Sequence, residues 1–318
     1  MKLLKRSVIA ALVLLIAAGS VFAKGGSESG AAGSKKVKIY LITMDQMDAY
    51  WNFIDAGCKK AIAEIGADKI EYLFDSPERK DNNAQITKIE NAAANGANYI
   101  LLAANDTEAQ NGAIAAAAKQ GVKFIFVDAP ASWSGAIATI TTNNEAAGKT
   151  AGEQLLAKLQ ANGVTSGNLG IVNVNIATAS TVAREKGFRS AFEGKGYSIL
   201  PTQYAEGDPA RSQEIASNYI TQGVVGIFGA NEGATVGTAN AIKEAGGKVL
   251  GVGFDTGGSV LDLIDQGVII GTMAQNPGMM GELGVKNAYT DYTGGTIADK
   301  NVDSGVTVVT SANSSQFR

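Results

Sequence analysis

Two aspartates close apolar runs in the same way: Asp128 follows KFIFV and Asp255 follows VLGVGF. A carboxylate there can accept from two adjacent hydroxyls, which a single amide cannot do; it can also simply cap a following helix. Asn231 and Gln275 each offer a donor and an acceptor, the combination that vicinal hydroxyls need. Arg184 carries a rigid fork of donors, with an ordinary ion pair to Glu185 or Asp208 as the alternative. Tyr50 and Trp51 stand side by side just before a helical stretch. Aromatic faces suit the C–H side of a sugar ring, and they equally suit a hydrophobic core.

What is missing narrows the chemistry. The chain has no histidine, so the commonest general base near neutral pH and the commonest transition-metal ligand are absent. Cys58 is the single cysteine, which excludes an intrachain disulfide, a Cys-x-x-Cys motif and a zinc cluster. It falls on an apolar side of FIDAGCKKAIAEIG and reads as a small buried hydrophobe. The Gly-rich stretches GDPARS and FDTGGS fit neither a phosphate loop nor a dinucleotide fingerprint, and no cofactor is expected. A formal net charge of −3 without a basic run gives a phosphate backbone nothing to hold, so no nucleic-acid partner is expected.

The elements that must position these residues alternate along the chain. Strand candidates are Val37–Thr43, Ile70–Phe74, Tyr99–Ala103 and Lys123–Val127, then Leu169–Val174, Tyr197–Tyr204, Val224–Phe228 and Val249–Phe254. Helical spacing lies between them, at Phe53–Ile65, Asn82–Asn95, Glu108–Gln120, Val182–Phe192, Ser212–Tyr219 and Ala234–Ala245. Fully apolar strands alternating with helices predict parallel sheets covered on both faces. The two series resemble each other: ILLAAND leads through a helix to KFIFVD, and GIFGANE leads through a helix to VLGVGFD. The chain of 318 residues thus reads as two similar α/β lobes, each a doubly wound parallel sheet. Ligands of such sheets sit at the carboxyl ends of the strands, so a cleft between the lobes would bring Asp128 and Asp255 face to face.

Residues 1–23 have the parts of a cleaved export signal: basic Lys2, Lys5 and Arg6, an apolar Val8–Ala18 stretch, and Val21-Phe22-Ala23. The apolar run is shorter than the ~20 residues a spanning helix needs. No cysteine follows it for lipid attachment, and residues 24–35 read as a Gly/Ser-rich flexible leader. A soluble protein in the periplasm is the expected product, with a net charge of −6 once the three basic residues are removed.

With these residues in place a family resemblance becomes specific. Tyr50-Trp51, Val127-Asp128, AREKGF at 183–188, ANEG at 230–233, GVGFD at 251–255 and MAQNP at 273–277 occur in one order and spacing. The chain resembles periplasmic sugar-binding proteins of the ribose/galactose type, which share a fold with lac-repressor-type regulators. The resemblance implies a type I periplasmic binding protein: two lobes joined by three crossings, expected near 141–144, 255–257 and 275–277. It implies a first lobe of residues 36–141 plus 257–293 and a second of 142–256 plus 294–318. It further implies that Tyr50, Trp51, Asp128, Arg184, Asn231, Asp255 and Gln275 contact the ligand. The implied role is the extracytoplasmic receptor of an ABC-type sugar importer, not an enzyme, closing on a monosaccharide or polyol and then docking on membrane permease and ATPase subunits, with a chemoreceptor as a further partner.

Three positions depart from the ribose-binding pattern. Ala129 replaces an arginine, Asp48 stands where an asparagine is usual, and Gly207 replaces an aromatic. Asp48 joins the expected site, and the pocket should be more acidic than the ribose type. A neutral polyhydroxy compound other than ribose, or one carrying an amine, is the expected ligand. Two other readings stay open: a signalling receptor for an autoinducer-like furanose, and an exported carbohydrate-active enzyme. The enzyme would need paired carboxylates, one with a raised pKa, and the nearby Arg184 argues against that.

Overall fold

The computed structural model describes residues 36–318; the expected export signal (1–23) and leader (24–35) lie outside the described residues. In chain order the first series is β1 (Val37–Ile42), α1 (Tyr50–Ile65), β2 (Ile70–Phe74), α2 (Asn82–Ala94), β3 (Tyr99–Leu102), α3 (Asn111–Lys119), β4 (Lys123–Val127) and β5 (Ala138–Thr141). The second is α4 (Asn144–Ala161), β6 (Gly167–Asn173), α5 (Ala179–Phe192), β7 (Tyr197–Ile199), β8 (Gln203–Tyr204), α6 (Pro209–Thr221), β9 (Val224–Gly229), α7 (Glu232–Glu244), β10 (Leu250–Phe254), α8 (Gly258–Asp265) and β11 (Gly271–Ala274). α9 (Pro277–Tyr292), β12 (Asn301–Asp303) and β13 (Thr307–Val309) follow.

Two sheets result, ordered β12-β5-β4-β3-β1-β2 and β13-β11-β10-β9-β6-β7, with β8 also on β6. Every pairing is parallel except β11 with β13. Helices cover both faces of each sheet, and alternate strand residues feed two cores. In the first lobe Ile39, Leu41, Leu101, Ile125 and Val127 face one way, while Tyr40, Ile42, Ile100, Leu102, Phe124 and Phe126 face the other. A strand buried on both faces has to read as a continuous apolar run.

The lobe limits differ from those expected. β11 pairs with β10, and α8 packs into the second lobe's core through Val260, Leu261 and Ile264, so residues 257–274 belong to the second lobe. β12 pairs with β5 of the first sheet. The chain therefore crosses between lobes at 142–143, 275–276 and 304–306, with no crossing at 255–257. The last crossing lies between two three-residue strands, Asn-Val-Asp and Thr-Val-Val, one of them polar and too short to show a period. The expected strand 197–204 is split around Pro201, which has no amide hydrogen to give a ladder.

α4, which hydrophobic periodicity missed, turns out to position the site. Its buried face is mostly small: Ala147, Gly148, Ala151 and Gly152 before Leu155 and Leu159. α5 lies almost backbone to backbone on it. A Cβ on Gly148 would stand 2.0 Å from the Arg184 carbonyl oxygen, and one on Gly187 would stand 1.9 Å from that of Glu145. This approach sets Arg184 beside Asn144. Replacing Gly187→Ala should separate the helices. Overpacking of about 3 kcal/mol exceeds the ~1 kcal/mol gain in helix propensity, so a net loss of about 2 kcal/mol is expected in urea unfolding; unchanged stability would contradict this packing.

Candidate functional site

All eight residues singled out in the sequence line one cavity between the lobes: Asp48, Tyr50, Trp51 and Asp128 from the first, Arg184, Asn231 and Asp255 from the second, and Gln275 on the second crossing. Each follows the carboxyl end of a strand or lies on the helix after it, as the topology of open parallel sheets requires. Lys80, Met44, Val174, Thr178, Ser180 and Thr181 complete the wall. Only about 30 Å³ is left free among them. Two hydrogen bonds join the lobes beside the cavity, Thr107 N to Ala177 O at 3.1 Å and Thr178 Oγ1 to Asn105 O at 2.8 Å. The cleft is nearly shut.

Neither strand-end aspartate caps a helix. Both adopt the left-handed region, at φ 61° for Asp128 and 71° for Asp255, a conformation that costs energy for a residue with a side chain and concentrates at functional sites. The parallel extends to their amides: Asp128 N donates to Ile140 O and Asp255 N to Met273 O, each on the neighbouring strand, at 3.0 Å. The Tyr50 hydroxyl donates to Asp128 Oδ1 at 2.9 Å, and burial together with the Asp128 and Asp255 charges keeps that phenol protonated. Gln275 Nε2 donates to Asp255 Oδ1 at 2.7 Å, and its Oε1 accepts from Thr142 Oγ1 at 3.0 Å. With that proton committed, Ser304 is the donor in the 3.1 Å contact between the Ser304 and Thr142 hydroxyls. All three crossings are thus linked to Asp255 by one chain of hydrogen bonds.

Arg184 is buried and makes neither of the surface ion pairs considered above. Its Nε donates to Asn144 Oδ1 at 2.8 Å, its Nη1 to Ala230 O at 2.9 Å, and the guanidinium lies 4.1 Å from the Phe254 ring centroid. Nη2 and the Trp51 Nε1 are buried donors without a partner among the described residues, and each costs about 1–3 kcal/mol until an acceptor arrives. Tyr50 and Trp51 meet edge to face at 5.2 Å and belong to the first lobe's core while also lining the cavity. Asn231 is narrower than expected: its Oδ1 caps α7 by accepting from Ala234 N, which leaves the amide NH₂ for the cavity.

Lys80 was missed because a lysine in a PERKD turn reads as solvated; its position after the carboxyl end of β2 was the available signal. Its Nζ pairs with Asp45 Oδ2 at 2.6 Å, with side chains only 8% and 3% exposed. Burial opposes ionisation of Asp45, but Lys80 and the amides of Asp48 and Met47 outweigh it and hold that carboxyl below the usual range. Elsewhere burial wins. It raises Asp48 and Asp128 above the ordinary carboxylate range despite Lys80 and, for Asp128, Arg184. Asp255 is pushed up to about 7 by burial, with Asp48 and Asp128 adding to it and Arg184 and Gln275 opposing. Glu232, which donates no charge to a cation but accepts from Gly257 N, is pushed up to about 8 by burial and by Asp255 and Asp48. Arg184 opposes the rise of Asp255 but is outweighed by burial, so its nearness does not deny Asp255 the raised pKa that a catalytic carboxylate needs. The Cys58 thiol, pushed up to about 12 by burial, is unreactive.

These shifts fix the sign of a pH effect. Carboxyls raised in the folded chain bind more protons there than in the unfolded chain, so stability falls as pH climbs from their ordinary values through the folded ones. The melting temperature of the ligand-free chain should fall between pH 5 and pH 8, the interval ending at the raised values of Asp255 and Glu232. Glu232→Gln should flatten the upper part of that fall, and a midpoint flat or rising across the interval in scanning calorimetry would contradict the burial of these groups.

Comparison with known proteins agrees with this geometry. Residues 39–295 match the model of the periplasmic binding protein domain family. The ribose import binding protein RbsB of Haemophilus influenzae is 26% identical over 264 residues, covering 82% of this chain and 86% of that protein. A carbohydrate transporter solute-binding protein of Agrobacterium radiobacter, solved with D-arabinose, is 29% identical with a TM-score of 0.83, covering 87% of this chain and 95% of that one. An ABC transporter solute-binding protein of Agrobacterium vitis, bound to α-D-tagatopyranose, is 26% identical with a TM-score of 0.83 over 89% and 99% of the two chains. Two parallel-sheet lobes, a shut cleft at their strand ends and a match across most of the chain place this protein in the periplasmic binding protein family.

Proposed function

We propose that this chain is the substrate-binding component of an ABC-type sugar importer, holding a monosaccharide or related polyol between its lobes. The observation that carries this reading is the convergence of Asp128, Asp255, Arg184, Trp51, Asn231 and Gln275 on one cavity, with the Trp51 and Arg184 donors buried and unpartnered. Ring hydroxyls supply the acceptors those donors lack and the donors the carboxylates need. The ring's C–H face lies against Tyr50 and Trp51. Asp48 and Lys80 hold the end of the ligand away from the hinge.

Binding is coupled to closure. With little free volume in the shut form, the ligand enters the open one and selects the closed one by bonding to both lobes. The bonds from Ser304 through Thr142 and Gln275 to Asp255 carry that selection to the crossings. The closed form is then the shape that permease and ATPase subunits read in the periplasm, after export directed by residues 1–23. Docking on a chemoreceptor uses the same closed surface.

The raised carboxyl of Asp255 beside Asp128 is what a carbohydrate-active enzyme would require, so turnover separates the two readings. A sugar that binds is recovered unchanged under this proposal; loss of the sugar with appearance of product would replace the importer reading by the enzyme one.

Thermal unfolding of the chain, stripped of ligand by unfolding and refolding, against pentoses, hexoses, polyols and amino sugars tests the proposal directly. A ligand at 100 times its dissociation constant adds about 2.7 kcal/mol, a rise of a few degrees. Asp128→Asn should cost about 1.5–3 kcal/mol of binding, the worth of hydrogen bonds to a charged group, and Trp51→Ala should abolish the shift. No shift with any compound in the panel would sink the sugar reading.

A further inference from the structure

The cleft does not end at the cavity. Past Asp48 and Lys80, which line both spaces, it widens into a chamber of about 430 Å³ walled by both lobes. The inner cavity keeps only about 30 Å³, far less than the chamber. The Lys80 side chain lines both spaces. The position opposite is Gly207, at φ +74°, where a Cβ would stand 2.9 Å from Lys80 Nζ and 3.1 Å from Asn231 Nδ2. Any larger residue there would close the passage.

We infer that the bound sugar carries a substituent, a second sugar ring or another aglycone, that passes over Gly207 into this outer chamber. The inference rests on the sugar-binding reading above. The chamber's walls are of mixed character, as a ring with apolar faces and polar edges needs: Met47 and Ala49 on one side, Pro209 and Val236 on the other, Ser259 and Glu232 between. Met47, 59% exposed, gives the chamber an apolar wall. Lys80 stands at the passage with three ammonium donors, of which Asp45 takes one; the other two are left for a ligand oxygen. A four-carbon stem lets it move aside.

A second groove, of about 580 Å³, also reaches the cavity, at Tyr50, Asp255 and Gln275. Those three are tied to one another's neighbourhood by the Tyr50–Asp128, Gln275–Asp255 and Thr142–Gln275 hydrogen bonds. Its remaining walls come from α1, α9, the second crossing and Thr256 of the second lobe; unlike the chamber, it shares no lysine with the inner cavity.

Titration calorimetry on the full chain compares free D-ribose, D-arabinose, D-allose, D-fucose and D-tagatose with their methyl and phenyl glycosides. At least one glycoside should bind as tightly as its parent sugar or more so. Ser259→Trp, an exposed position that would fill the chamber, should weaken that glycoside about tenfold, or about 1.4 kcal/mol, and leave the free sugar unchanged. Weaker binding of every glycoside than of its parent, or equal loss of both in the variant, overturns the chamber and leaves sugar binding standing. Binding of neither sugars nor glycosides overturns the underlying reading and the chamber with it.

Discussion

The shut cleft buries Asp45, Asp128 and Asp255 and half-buries Asp48, with Lys80 and Arg184 as the cations lining the inner cavity. Removing carboxylates from water is the largest unfavourable term at such a site, and groups that cannot be paired respond by holding their protons. The molecule uses both routes. Asp45 is paired and stays ionised, while Asp255 and Glu232 are pushed toward neutrality. The closed state is therefore held short of its full complement of hydrogen bonds. The polyhydroxy ligand proposed above would supply the missing partners without bringing a charge of its own.

The rest of the fold reads as the means of holding those groups in place. Arg184 is aimed by the glycine-mediated contact of α4 with α5 and rests on Phe254, which packs on Phe228 and through it on Phe188. In the first lobe α1, which opens with Tyr50 and Trp51, is pressed on α9 in the same manner: a Cβ on Gly57 would stand 2.0 Å from Gly278 O, and one on Gly281 would stand 2.0 Å from Ile54 O. Cleft side chains are thus seated on helix pairs that cannot slide without a backbone clash. Such contacts favour lobes that move as units about the three crossings.

That arrangement also bears on selectivity. The resemblance to ribose-type proteins implies an arginine at Ala129 and an aromatic at Gly207; the cleft of this chain instead has a cation in Lys80, paired with Asp45, where the inner cavity meets the outer chamber. The extended ligand proposed above would use that opening.

Strand and helix order was legible in the sequence because parallel strands buried on both faces must be apolar along their whole length, as KFIFV and YILL are. That Asp128 and Asp255 line one cavity was legible for a related reason: ligands of open parallel sheets sit at strand ends, and these two mark them by type; Tyr50, Trp51 and Asp48 were singled out through the family resemblance. Other features depended on distances between segments far apart in the chain. α4 hides its buried face in alanine and glycine, since a close helix crossing needs small residues and these leave no hydrophobic period. β12 joins the first sheet and β13 the second through pairings that two three-residue segments cannot announce. Lys80 enters the cavity only because Asp45, 35 residues earlier, compensates its burial. Which segments are apolar is a property of neighbours in sequence; which charges are buried together, and where the chain crosses between lobes, are decided by packing in three dimensions.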